Sequence, residues 1–122
     1  MKDYKNVITD TIKCLGISAG LKGFRYVRYA VELMMKDISL MDAMMSKLYP
    51  AVAKEFDTTP TRAERAIRYA VEFGWNRANS AFAHKLFGYS VDANKGKPTN
   101  TEFIVTVSDY ILMNDGKEDE GN

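Results

Sequence analysis

The sequence has 122 residues, 46% of them hydrophobic and 27% charged, with a formal net charge of +1, which suits one globular domain with a single buried core. Cys14 is the only cysteine and His84 the only histidine, which excludes a disulfide framework and a cysteine and histidine zinc site, so we expect no metal and no cofactor. No run of about 18 apolar residues occurs and residues 1–10 are polar, so we expect a cytoplasmic protein without a membrane span or secretory signal.

Apolar residues recur at helical spacing through most of the chain, and glycines and prolines stand at the boundaries of these runs. We therefore predict a compact all-α domain of six or seven helices. The first is expected over 4–15, ended by Gly16, and the second over 21–37. The apolar stripe of the second helix includes Phe24, Val27, Ala30, Val31 and Met34. A short, methionine-rich helix should follow over 39–47. We expect the methionines at 34, 35, 41, 44 and 45, and Cys14, to pack in the core.

Proline and capping signals mark the helices in the middle of the chain. Pro50 suits the first turn of a short helix over 50–56, because that position does not need the missing N–H group. Thr61 and Glu64 have the spacing of a capping box. They predict the start of a longer helix that runs to about Arg77.

Two further capping signals follow. Asn79 can cap a helix that stops near Gly88, and a loop is expected over 89–98. Thr99 and Glu102 repeat the capping-box spacing, which predicts a last helix that ends near Met113.

The segment 115–122 contains four acidic residues and one lysine. We expect it to be a disordered acidic tail behind an effector domain over 1–114. Without this tail, the remaining 114 residues carry 16 basic and 12 acidic side chains. This modest positive bias is compatible with a polyanionic partner but does not by itself argue for one.

The segment 49–67 has the pattern of a helix-turn-helix, in which two helices are joined by a three- or four-residue turn. Asp57 lies where the chain must turn sharply, and aspartate tolerates left-handed backbone geometry better than most residues. The first helix can pack against the second through Val52, Ala53 and Phe56. The small residues Ala53 and Ala63 would let the two helices approach closely.

The second helix of this pair has one polar face. At about 100° per residue, Ala63, Ala66, Ile67, Ala70 and Gly74 fall on one side, and Thr61, Arg65, Arg68 and Glu72 fall on the other. In a major groove, a guanidinium group matches the two acceptors of guanine, and a carboxylate can accept from the amino group of cytosine. We therefore predict that Arg65 and Glu64 read the bases of double-stranded DNA.

Other polar side chains, on this helix pair or in the short basic loops KGFRY and NKGKPTN, are candidates for phosphate contacts, which position a protein on DNA without reading its sequence. The simpler interpretation of the two loops is a solvated surface. The candidates are Lys54, Thr61, Arg62, Lys22, Lys95 and Lys97, together with Arg68 as a phosphate contact or a support for the base-reading residues. A simpler interpretation is that Glu64 and Arg68 only form an i,i+4 ion pair on a solvated helix, contributing about 0.2 to 0.5 kcal/mol. The pattern alone leaves both interpretations open.

Four segments resemble, in order and spacing, the C-terminal effector domain of the stage-zero sporulation protein A family of response regulators. They are LKGFRYVRYAVELM, LYPAVAKEFDTTPTRAERAIRYAVEFGWNRAN, LFGYSV and KPTNTEFI, and the resemblance extends from about Thr11 to Ile111. It implies a six-helix domain that binds a short promoter box and controls transcription during entry into sporulation. In the family a phosphoacceptor receiver domain precedes this domain. These 122 residues contain no counterpart, so we expect no phosphorylation switch within them.

The resemblance also implies residue roles and partners. Matched through TPTRAERAIR, the family's base-contacting glutamate and arginine fall on Glu64 and Arg65, and a further arginine contact falls on Arg68. The region 79–92 is implied to contact the sigma subunit of RNA polymerase. Two copies are implied to bind head to tail on tandem boxes, and we expect 108–111 of one copy to meet 79–87 of the other.

The alternative hypothesis is a non-catalytic helical adaptor that binds a partner protein through its methionine-rich helices and leaves Arg65 idle. A gel shift with a family promoter box separates this hypothesis from DNA binding. An enzyme is not expected, because no paired carboxylates, nucleophile and base, or metal ligands converge in the sequence.

Overall fold

The computed structural model describes residues 3–88 and 96–121, with side chains described as far as Asp115 in the last helix. The helices are α1 (Lys5–Cys14), α2 (Lys22–Lys36), α3 (Tyr49–Glu55), α4 (Pro60–Trp75), α5 (Ser80–Phe87) and α6 (Asn100–Gly121), and a 3-10 turn (Ile38–Asp42) and a π turn (Met44–Leu48) connect α2 to α3. No strand occurs in these residues, so the predicted all-α fold with six helices is confirmed. Across the described part of the chain, no helix combines the length and apolar character needed to cross a membrane.

Helix α2 is the central element and contacts α1, α4 and α6. The five residues of its predicted apolar stripe are all buried, with 3% exposure or less. Each large apolar side chain removed from water contributes about 1.5 to 3 kcal/mol, so this stripe supplies much of the scaffold on which the other helices pack. Helix α6 covers the other side of the core with Phe103, Ile104 and Val107, which have no exposed surface.

The connection between α1 and α2 passes close to the end of α4. Gly16 ends α1 as predicted and has a φ of 86°, a left-handed conformation that glycine adopts without strain. A Cβ atom at Gly16 would also overlap the backbone carbonyl of Gly74 in α4. The N–H of Asn79 donates to the carbonyl oxygen of Cys14 at 3.1 Å, which ties the start of α5 to the end of α1.

Two of the predicted helix starts are confirmed by their hydrogen bonds. Asn79 Oδ1 accepts from the N–H of Phe82 at 3.0 Å at the start of α5. At the start of α6, Thr99 Oγ1 accepts from the N–H of Glu102 at 3.1 Å, and Glu102 Oε1 accepts from the N–H of Thr99 at 3.0 Å. This reciprocal pair is a complete capping box.

The segment between α2 and α3 differs from the single short helix predicted over 39–47. Asp37 Oδ1 accepts from the N–H of Ser39 at 3.0 Å, which starts a separate 3-10 turn. The N–H of Leu48 then donates to the carbonyl oxygen of Ala43, five residues back, which produces the wider π turn. Two different helical geometries therefore replace one helix.

Burial also corrects two expectations about the core. Met34 and Met44 are buried, but Met41 and Met45 are 42% and 63% exposed, so the prediction that all these methionines pack inside is wrong. Cys14 is exposed as well. It lies outside the buried stripe of α1, which consists of Ile8, Thr11 and Ile12.

The last helix continues beyond Met113, where we expected it to end, and its helical backbone extends to Gly121. Asn114 Nδ2 donates to the carbonyl oxygen of Tyr110 at 2.7 Å, and the Tyr4 hydroxyl donates to Asp115 at 3.1 Å. These contacts hold the chain past the expected end. The segment expected to be a disordered acidic tail, 115–122, thus has helical backbone as far as Gly121. The division into a domain over 1–114 and a tail stays a prediction.

Candidate nucleic-acid interface

A four-residue turn, 56–59, joins α3 to α4. Asp57 has a φ of 53°, the left-handed geometry expected for it. The N–H of Thr58 donates to the carbonyl oxygen of Ala53 at 2.9 Å, and this bond together with the left-handed residue ends α3 in a Schellman-type cap. Phe56 anchors the turn by packing on Tyr26 of α2, with ring centroids 4.8 Å apart. The turn is therefore held by the cap at the end of α3 and by the packing of Phe56 on α2.

The start of α4 lies two residues earlier than the sequence pattern predicted, because the N-cap is Thr59 and not Thr61. Thr59 Oγ1 accepts from the N–H of Arg62 at 3.2 Å, and Pro60 occupies the first helical position. The predicted capping box of Thr61 and Glu64 is therefore wrong. The signal for the true cap was Pro60, because proline is favoured immediately after an N-cap residue.

Helix α4 buries the face that was predicted to be apolar. Ala63, Ile67, Ala70 and Gly74 are buried and Ala66 is half-buried. On the opposite face Thr61, Arg65 and Arg68 are exposed, and Glu72 is half-buried. Tyr69, which the sequence analysis did not single out, is 61% exposed beside them. The helix thus presents a polar surface that includes the predicted base-reading arginines.

Arg65 and Arg68 differ in their surroundings. Arg65 is exposed, and its guanidinium has no hydrogen bond or ion pair with any residue that the structure describes. Arg68 Nε lies 3.3 Å from Glu64 Oε2, so the i,i+4 pair proposed as the simpler interpretation is present. At 54% exposure for Arg68 and 26% for Glu64, water screens this pair strongly, and its contribution to stability is small.

Glu64 has a second partner that the sequence did not indicate. Asn100, the first residue of α6, places Nδ2 at 3.3 Å from Glu64 Oε2 and 3.4 Å from the Glu64 carbonyl oxygen. The same amide nitrogen lies 3.1 Å from the hydroxyl oxygen of Tyr49 in α3. No local pattern could have shown this contact, because Asn100 is 36 residues from Glu64.

The candidate phosphate contacts fall into three groups. Thr61 and Arg62 are exposed in the first turn of α4, Lys54 is exposed in the last turn of α3, and Lys22 is exposed at the start of α2. Lys97 forms an ion pair within the domain, since its Nζ lies 3.1 Å from Glu72 Oε1 on α4. Lys95 lies outside the described residues. Lys22 adjoins α4 because the next residue, Gly23, packs on Ala66.

The segments expected to join two copies are adjacent within one molecule. Phe82 of α5 packs edge-on against Tyr110 of α6, with ring centroids 5.6 Å apart. Ser108 and Ile111 are buried, with exposures of 1% and 2%. Part of each segment is therefore used within one chain, while Asp109 and the α5 residues Ser80, Ala81, His84 and Lys85 are exposed. The expectation that 108–111 of one copy meets 79–87 of another stays a prediction.

The site contains no arrangement typical of metal chemistry. Within the described part of the chain, no group of three or more histidine, cysteine, aspartate or glutamate side chains is placed to hold a metal ion. What the α4 surface offers is a set of exposed cationic and hydroxyl groups on a helix whose opposite face is anchored in the core. Such a surface suits contact with a polyanion.

A family model described as "Sporulation initiation factor Spo0A C terminal" matches residues 8–111. The match includes α2, α3, α4 and α5 in full and the buried part of α6. It favours DNA binding over the adaptor hypothesis that the sequence pattern had left open. The domain is a DNA-binding domain of a sporulation transcription factor and not an enzyme. The chain therefore belongs to the family of the sporulation initiation factor Spo0A C-terminal domain.

Proposed function

We propose that this domain reads a short promoter box through the major groove, with α3 and α4 forming a helix-turn-helix and α4 as the recognition helix. The observation that carries the proposal is the position of Arg65. It lies in the second turn of α4, exposed and without a partner among the described residues, opposite the buried face of Ala63 and Ile67. A free guanidinium at this place can bond both O6 and N7 of a guanine.

Glu64 and Arg68 complete the base-reading set. Glu64 Oε2 is held by Arg68 and Asn100, whereas Oε1 has no hydrogen bond to any described residue. Oε1 can therefore accept from the amino group of a cytosine. Arg68 uses Nε for Glu64, which leaves its terminal nitrogens for a base edge or an adjacent phosphate.

Phosphate contacts on both sides of the groove would hold α4 in register. Thr61 and Arg62 stand at the N-terminus of α4, where unpaired backbone N–H groups also favour an anion. Lys54 and Lys22 are exposed on the neighbouring helices, and Lys97 lies beside Glu72 of α4. We assign the same role to Lys97 and to Lys95. These contacts supply affinity and orientation without sequence information.

The remaining partners also belong to this proposal. We assign a sigma-subunit contact to the region 79–92, of which α5 is described and 89–92 lie outside the described residues. We further propose that two copies bind head to tail on tandem boxes. Because DNA binding requires the compartment that holds the chromosome, we place the protein in the cytoplasm.

The proposal is tested by comparing Arg65→Ala with Arg77→Ala. Both remove one cationic side chain, but Arg77 follows the end of α4 and stacks on Phe73, with its guanidinium carbon 3.9 Å from the ring centroid. Arg65→Ala should lower the ratio of affinities for the promoter box and a scrambled duplex by about tenfold or more, since a bidentate guanine contact is worth about 1 to 3 kcal/mol of discrimination. Arg77→Ala should leave that ratio unchanged. A parental ratio for Arg65→Ala would exclude Arg65 as a base-reading residue.

A further inference from the structure

Asn100 links the two helices of the helix-turn-helix to α6. Its Nδ2 is 3.1 Å from the Tyr49 hydroxyl on α3 and 3.3 Å from Glu64 Oε2 on α4. Tyr49 is buried, at 4% exposure, and Asn100 is half-buried. The side-chain amide of Asn100 thus contacts two groups, the buried hydroxyl of Tyr49 and the carboxylate of Glu64 on the polar face of α4.

The surroundings of Asn100 hold it in place. The reciprocal hydrogen bonds of Thr99 and Glu102 fix the first turn of α6, and Pro98 immediately before this turn is buried. Burial raises the pKa of Tyr49 further above neutral pH, and its hydroxyl oxygen accepts from the Asn100 amide. The capped first turn of α6 and the Tyr49 hydroxyl therefore hold the Asn100 side chain next to Glu64.

We propose that Asn100 is a positioning residue for base recognition, which orients the Glu64 carboxylate and, through it, Arg68. This inference rests on the proposed role of Glu64 as a base-reading residue. A glutamate free to rotate on a helix surface must lose rotamer entropy when it binds a base, and a carboxylate already held in place loses less. Preorganisation of this kind raises the affinity for the correct base pair.

The chemistry of asparagine suits this role. Its amide is a neutral donor, so it holds Glu64 Oε2 without cancelling the negative charge that Oε1 needs to accept from cytosine. Arg68 Nε bonds the same Oε2, so fixing the carboxylate also restricts the guanidinium. Two base-reading side chains therefore depend on one amide that never has to touch DNA.

The experiment measures affinities for the promoter box and for each of its single base-pair substitutions, with Asn100→Asp as the main variant. Aspartate has the same shape and is favoured in the first turn of a helix, so we expect α6 to form normally. It lacks the donor and places a second negative charge against Glu64. We expect the preference at the base pair read by Glu64 to fall about tenfold, with the preference at the base pair read by Arg65 unchanged.

Two further variants make the test independent of folding. Asn100→Ala removes the donor without adding a charge, and should lower the same preference in the same direction. Tyr49→Phe removes only the hydroxyl that Asn100 contacts on α3, and should lower the same preference by a smaller factor. Thermal unfolding of each variant, measured without DNA, identifies any that is poorly folded.

The Glu64→Ala background separates this inference from the proposed function. If Glu64→Ala leaves the preference at every base pair unchanged, Glu64 is not a base-reading residue and the proposed function fails at that residue. If Glu64→Ala removes one preference and the Asn100 variants keep it, the positioning role is wrong and the reading role stands. If Asn100→Asp weakens all boxes equally, or acts as strongly in the Glu64→Ala background, Asn100 only holds α6 against α4 and the inference is overturned.

Discussion

Gly23 of α2 lies directly against Ala66 of α4, so closely that a Cβ atom at Gly23 would overlap the Ala66 carbonyl oxygen and come within 2.9 Å of the Cβ of Ala70. Helix α4 is thus seated on the backbone of α2. This contact sets how far α4 stands out from the core, and with it the position of Arg65 on the opposite face of the helix.

We predict that Gly23→Ala destabilises the domain although alanine favours helices by about 1 kcal/mol over glycine. The added methyl group meets backbone rather than a flexible side chain, so α2 and α4 must separate, and overpacking of this kind costs about 1 to 3 kcal/mol. Thermal unfolding should show a decrease of several degrees. The matched control is Gly20→Ala, where the nearest atom to the new Cβ is Ser18 Oγ at 3.6 Å. Equal melting temperatures for the two variants would contradict the close approach.

The second prediction concerns Thr59 and Thr61 at the start of α4, because only Thr59 caps the helix. Thr59→Ala should cost about 1 kcal/mol of stability, since Thr59 Oγ1 accepts from the N–H of Arg62. Thr61→Ala should leave stability within about 0.5 kcal/mol of the parent, since Thr61 is exposed and caps nothing. Denaturant unfolding measures both. DNA affinity should show the reverse order, with Thr61→Ala the weaker binder, if Thr61 contacts phosphate.

Local patterns predicted much of this fold. The apolar stripe of α2 and the buried face of α4 follow from helical periodicity, and the caps at Asn79 and Thr99 depend on residues three positions apart. A capping error lies at the start of α4, where Thr61 was predicted to cap the helix and Thr59 does so. Pro60 is the local signal for Thr59, because a proline suits the first position of a helix.

Contacts between distant segments were not predictable in this way. The approach of Gly23 to Ala66 and the bond from Asn100 to Glu64 join residues far apart in sequence, and either residue alone looks like an ordinary helix position. For the same reason, helical spacing did not reveal that Phe82 of α5 packs against Tyr110 of α6 within one chain. Base-reading roles for Glu64, Arg65 and Arg68 stay predictions until binding is measured.

The ion pair between Lys97 and Glu72 gives a prediction about salt. If Lys97 contacts a phosphate, Lys97→Gln should reduce the slope of log affinity against log salt by about 0.9, because each neutralised phosphate releases about that many counterions. Glu72→Gln should raise affinity evenly across sequences, since it removes a negative charge beside Lys97 on the α4 surface. Titrations at several salt concentrations measure both effects. An unchanged slope for Lys97→Gln would leave the pair as a surface contact between α4 and the segment before α6.

The last prediction concerns how so weakly charged a domain reaches useful affinity. Its 1–114 portion carries only four more basic than acidic side chains, so one copy can neutralise few phosphates and should bind one box weakly. Two copies on tandem boxes would be related by translation along the DNA with a screw rotation, and the second would gain protein contacts from the first. Titrations should use one box, two boxes at the family spacing, and two boxes with the spacing changed by about half a helical turn, which moves the second copy to the opposite side of the duplex. We expect cooperative binding only at the family spacing. The same affinity per box on all three duplexes would mean that the copies act independently and that the tandem arrangement is wrong for this protein.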